Sequence, residues 1–472
     1  MKVNPLLVAG VAIFCLFFIL PYTLQGQYKL EKLSQWDDNE NIDPASDGQL
    51  YNDLVGYADD EGREYAIIGS LDGTYFVNIT DPEHPELVRK VEGRFDRGIN
   101  RDFQTHGHYA YGVCDQGPSS LQIFDLQYLP DSVAVVYDED SLVQNTHNIF
   151  VSNDRLYLAS HNAADGERHP LSILSLENPE VPRFITNLNP TTLNGEPLFE
   201  VCHDAHVRND TLFCFGGNEG LFIYDYENPQ SPELITGLRN YPDQGYNHSG
   251  WVNEKGNRLV FADETHGSQL KFYDISDRAN PSLNSLFGYR SSDGAIPHNP
   301  FIKDSLIYVS YYHNGVVVFD KSEPKDVRKI ASYDTDTTVG GDKGFSGFQG
   351  AWGVYPFLPS GTIIGADMQN GLFVLDLQED PDASIEEQTL SNEEVSIYPN
   401  PASEKAFLEV PFSGKWELTL LNSSGKVLER QSHHLSNENE IEFDLSPDLE
   451  PGLHYLQLKH NSRVFHKKLI KQ

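Results

Sequence analysis

Residues 220–235 read "GLFIYDYENPQSPELI". Apolar and polar positions alternate through "LFIYDY", the period of a β-strand. Two prolines follow, which deny donors to any ladder and mark a turn; a second apolar stretch then resumes. The phrase recurs as "GTYFVNITDPEHPELV" (from Gly73), "SLQIFDLQYLP" (Ser120) and "LSILSLENPEVPRFI" (Leu171). It continues as "QLKFYDISDRANPSL" (Gln269), "GVVVFDKSEPKDVRKI" (Gly315) and "GLFVLDLQED" (Gly371). With the Asp of "IYD" as marker, the equivalent positions are Asn78, Asp125, Ser175, Asp225, Asp274, Asp320 and Asp376, spaced by 47, 50, 50, 49, 46 and 56 residues.

A hairpin precedes each phrase. Four of these hairpins open with histidine: "HNIFVSNDRLYLAS" at His147, "HDAHVRNDTLFCFGG" at His203, "HSGWVNEKGNRLVFADE" at His248 and "HNPFIKDSLIYVSYY" at His298. Each unit therefore reads as four strands, two in the hairpin, one in the alternating phrase and one after the prolines. Seven such units at one period predict a repeat architecture, and four-stranded units close best as a β-propeller. The seventh unit stops at "LDLQEDPDAS" without a fourth strand, and "YKLEKLSQWDD" (from Tyr28) resembles the missing one. We expect it to complete the last blade; an open solenoid would leave it unexplained.

At 472 residues the chain has room for a second, smaller unit. The expected fold class is all-β, a seven-bladed β-propeller followed by a small Ig-like β-sandwich. Residues 1–26, one lysine and then an apolar run, read as a signal peptide rather than a retained anchor. Residues 27–380 form the propeller, 381–393 an acidic linker, and 394–472 alternating strands with turns at "NSSG" and "EPG". Of the net charge of −36, residues 1–26 carry +1 and 394–472 carry −2, leaving −35 on 27–393. Such a surface repels nucleic acid and anionic membranes and suits an extracellular protein. After signal cleavage no membrane span is expected, and Cys114, Cys202 and Cys214 remain. That odd, irregular set reads as buried free thiols with at most one bridge.

In a propeller the first strand of each blade lines the central channel, and the end of strand two lies at the same mouth. The candidate metal ligands there are His147, His203, His248 and His298 at strand-one starts, and Asp263, Glu264, His313 and Asp367 at strand-two ends. Imidazoles with carboxylates suit zinc, manganese or iron, and oxygen-only sets suit calcium. The cofactor expectation is thus a divalent metal: calcium, zinc or manganese. The competing reading makes each histidine a fastener between blades, since a repeated residue commonly serves the repeated fold. "HGH" (His106–His108) reads as a surface pair, and "DTDTTVGGDKGFSG" (from Asp334) as a connecting loop that lacks the EF-hand pattern. No GxSxG, P-loop, HExxH or Rossmann glycine pattern is present.

The phrases "LDGTYFVNITDP", "HNIFV", "CHDAHV", "HSGWV", "HNPFI", "YYHNGVVVFD" and "GAWGVYPFLPSGTIIGAD" resemble, in order, the LVIVD-repeat propellers of the choice-of-anchor B family. The resemblance covers roughly 28–380. Residues 394–472, with "IYPNPAS", "LLNSSGKVL", "LEPGLHYLQLK" and the basic end "KKLIKQ", resemble the type A sorting domain of type IX secretion. That resemblance implies a partner in the type IX secretion machinery, and a protein secreted or held at the outer-membrane cell surface of a Gram-negative bacterium. The propeller family supplies no activity. We expect a non-catalytic binding or adhesion module for an extracellular protein or glycan. The alternative is a metal-dependent extracellular hydrolase or lyase, with Asp263, Glu264 or Asp367 as general base.

Overall fold

The computed structural model describes residues 27–380 and 395–472, apart from 165, 189, 191–196, 290–293, 337–347, 411–413, 423–425, 436–439, 447–448 and 461–462. The expected signal peptide and linker, and most of the Asp/Gly-rich loop from Asp334, lie outside the described residues.

Turn chemistry explains why the marker residue recurs. Its side chain accepts the backbone N–H two residues on, closing the bend that the prolines rigidify. The bond recurs at Asn78, Asp125, Ser175, Asp225, Asp274 and Asp320, at 2.8–3.3 Å. The turn between strands one and two has its own device. Asn153–Asp154 and Asn209–Asp210 sit at φ of 51–53°, the left-handed pair that a tight hairpin requires and Asn and Asp tolerate.

Among the described residues, 27–380 form seven four-stranded antiparallel sheets. We number them by their first strands: Tyr51–Ala58, Arg101–His106, Asn148–Ser152, Ala205–Arg208, Asn247–Val252, Pro300–Lys303 and Ala351–Tyr355. First strands of successive sheets touch from one to six. Sheet six meets seven through its second strand, Leu306–Ser310, and Ala351–Tyr355 returns to Tyr51–Ala58. Sheets standing side by side about one axis make a β-propeller.

Second strands are buried on both faces, as stacked sheets demand; Glu64–Ser70, Thr211–Phe215 and Ile363–Asp367 are buried throughout. Neighbouring sheets share cores: Tyr157 and Ile173 with Leu212 and Phe222, and Val260 and Phe272 with Ile307 and Phe319. Ile68 and Val77 of the first sheet join Ile364 and Val374 of the seventh.

The seventh sheet takes its outer strand from the far end of the chain. Gln27–Trp36 pairs antiparallel with Gly371–Asp380, from Gln27 opposite Asp380 to Trp36 opposite Leu372. Leu30 fixes that register by packing on Val316, Val318, Phe373 and Leu375.

Residues 395–472 form a three-stranded and a four-stranded antiparallel sheet. The two enclose one core around Trp416, Leu408, Phe443 and Leu456. No helix among the described residues is long and apolar enough to cross a membrane.

The cysteines depart from the free-thiol expectation. Cys202 and Cys214 are joined, with Cα atoms 5.5 Å apart, and Cys114 is a buried free thiol. A twelve-residue separation looks irregular in sequence, but Cys214 opposes Ala205 in the hairpin, three residues from Cys202.

If strand Gln27–Trp36 holds the ring shut, trimming its buried side chain must weaken the whole propeller. Leu30→Ala is expected to cost about 2–5 kcal/mol. The exposed neighbour Lys32→Ala should stay within about 0.5 kcal/mol. Chemical denaturation midpoints of the two variants check this.

Candidate functional site

The channel mouth is shaped by a backbone irregularity that the hairpin phrases do not display. At each repeated histidine, two residues of strand one oppose one residue of strand two. His147 donates its N–H to the Ala159 carbonyl at 3.1 Å, while Asn148 pairs with the same Ala159. Phe215 likewise faces both His203 and Asp204, at 2.7 and 3.0 Å. His248 is the extra residue between the Asn247–Asp263 and Ser249–Ala262 pairs. Ser310 faces His298 and Asn299 at 3.0 and 3.2 Å, and Trp352 is the extra residue of sheet seven. These are β-bulges, which re-aim a side chain and cluster beside functional sites.

Without a bulge, consecutive side chains would point to opposite faces. Sheet two shows that case. Arg101 and Asp102 pair regularly with Cys114 and Val113. Arg101 turns away from the channel to donate to the carbonyls of Ser70, at 2.8 Å, and Leu71, at 3.1 Å.

The second residue of each histidine pair, and its counterparts, line a cavity of about 300 Å³ on the axis. Asp53, Asp102, Asn148, Asp204, Ser249 and Asn299 form its polar ring. Gly353 completes the circle, where a Cβ would come within 2.3 Å of Asp53 Oδ1. Two residues further along the strands stand Phe150, His206, Trp251, Phe301 and Tyr355, followed by Phe357. The Trp251 ring lies 4.9 Å from Phe301 and 5.2 Å from Phe357.

Fastening between sheets falls largely to the polar ring. Asp102 Oδ2 accepts the Ile149 N–H at 2.5 Å, Asn148 Oδ1 accepts the Ala205 N–H at 3.1 Å, and Ser249 donates to the His298 carbonyl at 2.6 Å. Two of the histidines add to it, His298 from Nδ1 to the Trp352 carbonyl at 2.5 Å and His147 from Nδ1 to Asp115 of sheet two at 2.8 Å.

The four imidazoles instead pack ring to ring, with centroids 4.0, 4.2 and 4.4 Å apart from His147 through His203 and His248 to His298. Carboxylates flank them. His147 Nδ1 lies 2.8 Å from Asp115, and His203 Nδ1 lies 2.9 Å from Asp204. Glu264 sits 3.8 Å from His248 Nε2 and 3.9 Å from His298 Nε2, and accepts the Tyr312 hydroxyl. One ligand atom from each of His147, His203, Asp204 and His248 lies within 4.8 Å of the others, and His248, Glu264 and His298 form a second such group.

Burial sets the charges. It holds His248 well below the usual imidazole range, helped by repulsion from His203 and His298. It takes His298 down to about 3 and also lowers His203. Burial would lower His147 too, but the bond to Asp115 and the charge of Asp204 lift it above the ordinary value. Desolvation raises Glu264 to about 7.

Three of the eight sequence candidates stand elsewhere. Asp263 opposes Asn247, the residue before the bulge, so it shares that residue's face, and the next residue, Glu264, turns to the mouth. Asp263 accepts from Tyr241 at 2.9 Å, Gly245 at 2.7 Å and Asn247 at 3.2 Å, and pairs with the fully buried Lys271 at 2.9 Å. Asp367 caps a turn, accepting from Thr335 at 2.6 Å and from the Gln369 and Asn370 amides at 3.0 and 2.9 Å. His313 lies 3.5 Å from Asp336.

Asp115, Asp204 and Tyr312 were absent from the candidate set. The signal for Asp204 was available as the residue after the histidine in "HDAHV".

Residues 396–472 match the model of the secretion system C-terminal sorting domain. The chain therefore carries an export signal that engages the type IX secretion machinery and delivers it to the cell surface or the medium. No curated protein matches the chain. Among solved structures it is similar to the WD40 repeats of RRP9, at 10% identity and a TM-score of 0.49 over 75% of this chain and 99% of that one. It is also similar to the β-propeller domain of Cps50 (Swd1) from Myceliophteria thermophila, at 12% identity and a TM-score of 0.47 over 69% of this chain and 96% of that one. The propeller assignment rests on the sheet order and the contacts between first strands.

Two expectations follow from the buried groups. Removing the cation of the Lys271–Asp263 pair leaves an uncompensated buried carboxylate, so Lys271→Met should destabilise by about 3–5 kcal/mol in denaturant titration.

Desolvation also raises Asp53 from 3.8 to about 7 and Asp102, beside it, well above its ordinary value. The folded chain thus keeps protons that the unfolded chain releases, and stability falls as pH rises from about 4 to about 7. The melting temperature should drop between pH 5 and pH 8, by about 2 °C or more. Asp102→Asn keeps the acceptor for Ile149 and should shrink that drop.

Proposed function

We propose that the chain is an exported binding module, a closed seven-bladed β-propeller of the choice-of-anchor B type with a small Ig-like sandwich as its sorting domain. Its ligand is a sugar unit of an extracellular glycan, received in the central channel. The observation that carries this reading is the composition of the cavity wall. A sugar ring has apolar C–H faces and a rim of hydroxyls that both donate and accept. The cavity opposes these with the faces of Trp251, Phe301 and Phe357 and with the polar ring one strand step away. Asn299 Oδ1 is buried there without a hydrogen-bond partner, an acceptor ready for a hydroxyl. The volume suits one small ligand, at the lower end of the range for such sites.

The absence of a nucleophile motif supports binding over catalysis. A second reading, a metal-dependent hydrolase or lyase, is favoured by one observation. Glu264, held near neutrality by burial, stands at the mouth beside His248 and His298, where a general base would work.

A glycan array probed with the purified chain, followed by calorimetry on its strongest binder, tests the proposal. Trp251→Ala should weaken that binding by about tenfold or more, about 1.4 kcal/mol, measured at a temperature where circular dichroism shows the variant folded, since the ring also packs on the core. An array with no binder, or equal affinity in the variant, rejects the channel as the glycan site. Cleavage of the bound glycan, lost in Glu264→Gln, would favour the enzyme.

A further inference from the structure

We infer that the channel mouth is a metal centre in which His147, His203, Asp204 and His248 hold one divalent transition-metal ion. It shares Asp204 with the cavity below, and it selects a different ligand set from the one the repeat pattern suggests.

The first argument is donor chemistry. Three imidazoles and a carboxylate within 4.8 Å of one another are a set for zinc, manganese or iron, whereas calcium and magnesium take oxygen. Metal–nitrogen bonds of about 2.1 Å place two donors on one ion no more than about 4.2 Å apart. The cluster therefore needs only small side-chain adjustment.

The second argument is the way each ring is held. A metal-bound histidine characteristically donates its other N–H to a carboxylate, which fixes the tautomer and the orientation of the ring. His147 Nδ1 lies on Asp115 at 2.8 Å and His203 Nδ1 on Asp204 at 2.9 Å, so both rings keep Nε2 for another partner. His248 turns Nε2 toward Glu264 at 3.8 Å, and its Nδ1 is buried with no hydrogen-bond partner. An unsatisfied buried polar atom costs about 1–3 kcal/mol. In a ring that is only 3% exposed, it calls for a ligand.

The third argument limits the competing explanation. If these histidines were only fasteners, their nitrogens would be spent on carbonyls or carboxylates of the neighbouring sheet. Asp102, Asn148 and Ser249 bond to the neighbouring sheet's backbone; of the three histidines His147 reaches a neighbouring sheet, through Nδ1 to Asp115, and His147, His203 and His248 face one another across three different sheets.

Elemental analysis by mass spectrometry on the full chain, purified without chelator or metal-affinity steps, is the direct test. It is followed by calorimetric titration of the chelator-stripped protein with zinc and with manganese. One equivalent of transition metal per chain is expected. His248→Gln and Asp204→Asn should each weaken it by about 10–100-fold, and His108→Ala, outside the cluster, should leave it unchanged. Circular dichroism checks that each variant is folded; if His248→Gln does not fold, the isosteric Asp204→Asn decides.

A folded wild-type chain that takes up neither metal overturns the proposal. So does uptake that persists undiminished in Asp204→Asn, or uptake of calcium alone. Glycan binding plays no part in these readouts, so failure of the metal centre and failure of the sugar site are told apart although Asp204 belongs to both.

Discussion

The antiparallel seam between Gln27–Trp36 and Gly371–Asp380 is the interaction on which the other parts depend. Every first strand contributes side chains to one axis, and an axis shared by seven sheets exists only while the first and the seventh stay together. Without the seam, the sheet containing Ala351–Tyr355 would have an exposed edge, and Gly353 and Tyr355 would no longer be held against Asp53 and Tyr51. Because the seam joins the two ends of the propeller region, ordering of the mouth waits for essentially the whole propeller to fold. Long-range closure of this kind is slow to form, but once made it removes the loose edge of the ring.

Within the closed ring, a single extra residue decides what the mouth contains. A regular strand offers every second side chain to the axis, which yields the polar ring and, two residues later, Phe150, Trp251 and Phe301. The bulges add one side chain more per sheet, on the same side as its successor. Four of these additions are histidines, and the consequence is a dense patch of imidazole nitrogen above a ring of oxygen. Dehydration of that patch keeps His248 and His298 neutral, so their lone pairs face a partner rather than a proton. Sheet two lacks the bulge, and its Arg101 is thereby diverted into the seam between sheets. A cation at that position would otherwise stand beside the imidazoles.

The repeats were legible because every sheet must solve the same turn and the same burial. The marker at Asp225 and its equivalents makes the same two-residue bond in six sheets, so selection for the turn leaves a mark every 50 residues or so. The repeated histidines were legible for a similar reason. What the pattern does not carry is side-chain direction wherever the ladder slips. Asp263 and Glu264 are adjacent and equally acidic, yet only the second turns toward the histidines, because Asp263 opposes Asn247 before the bulge. Asp367 opposes Ala351 in the same way and is consumed by a turn. The Cys202–Cys214 bridge was hidden by the same circumstance, since its geometry depends on how the chain enters the hairpin at His203 and Asp204.

Export gives these features a common setting. A disulfide one residue before His203 is at home only outside the reducing cytosol, and the sorting domain at 396–472 takes the chain there. Residues 27–393 carry nearly all of the net charge of −36, so the propeller's own field draws cations toward it. The mouth offers those cations the nitrogen donors that the acidic surface lacks. Hard ions such as calcium can be screened anywhere on that surface, but a softer ion gains from imidazole. The channel mouth is thus the place where an electrostatic attraction common to the whole propeller becomes selective, and it does so through one inserted residue in each bulged strand.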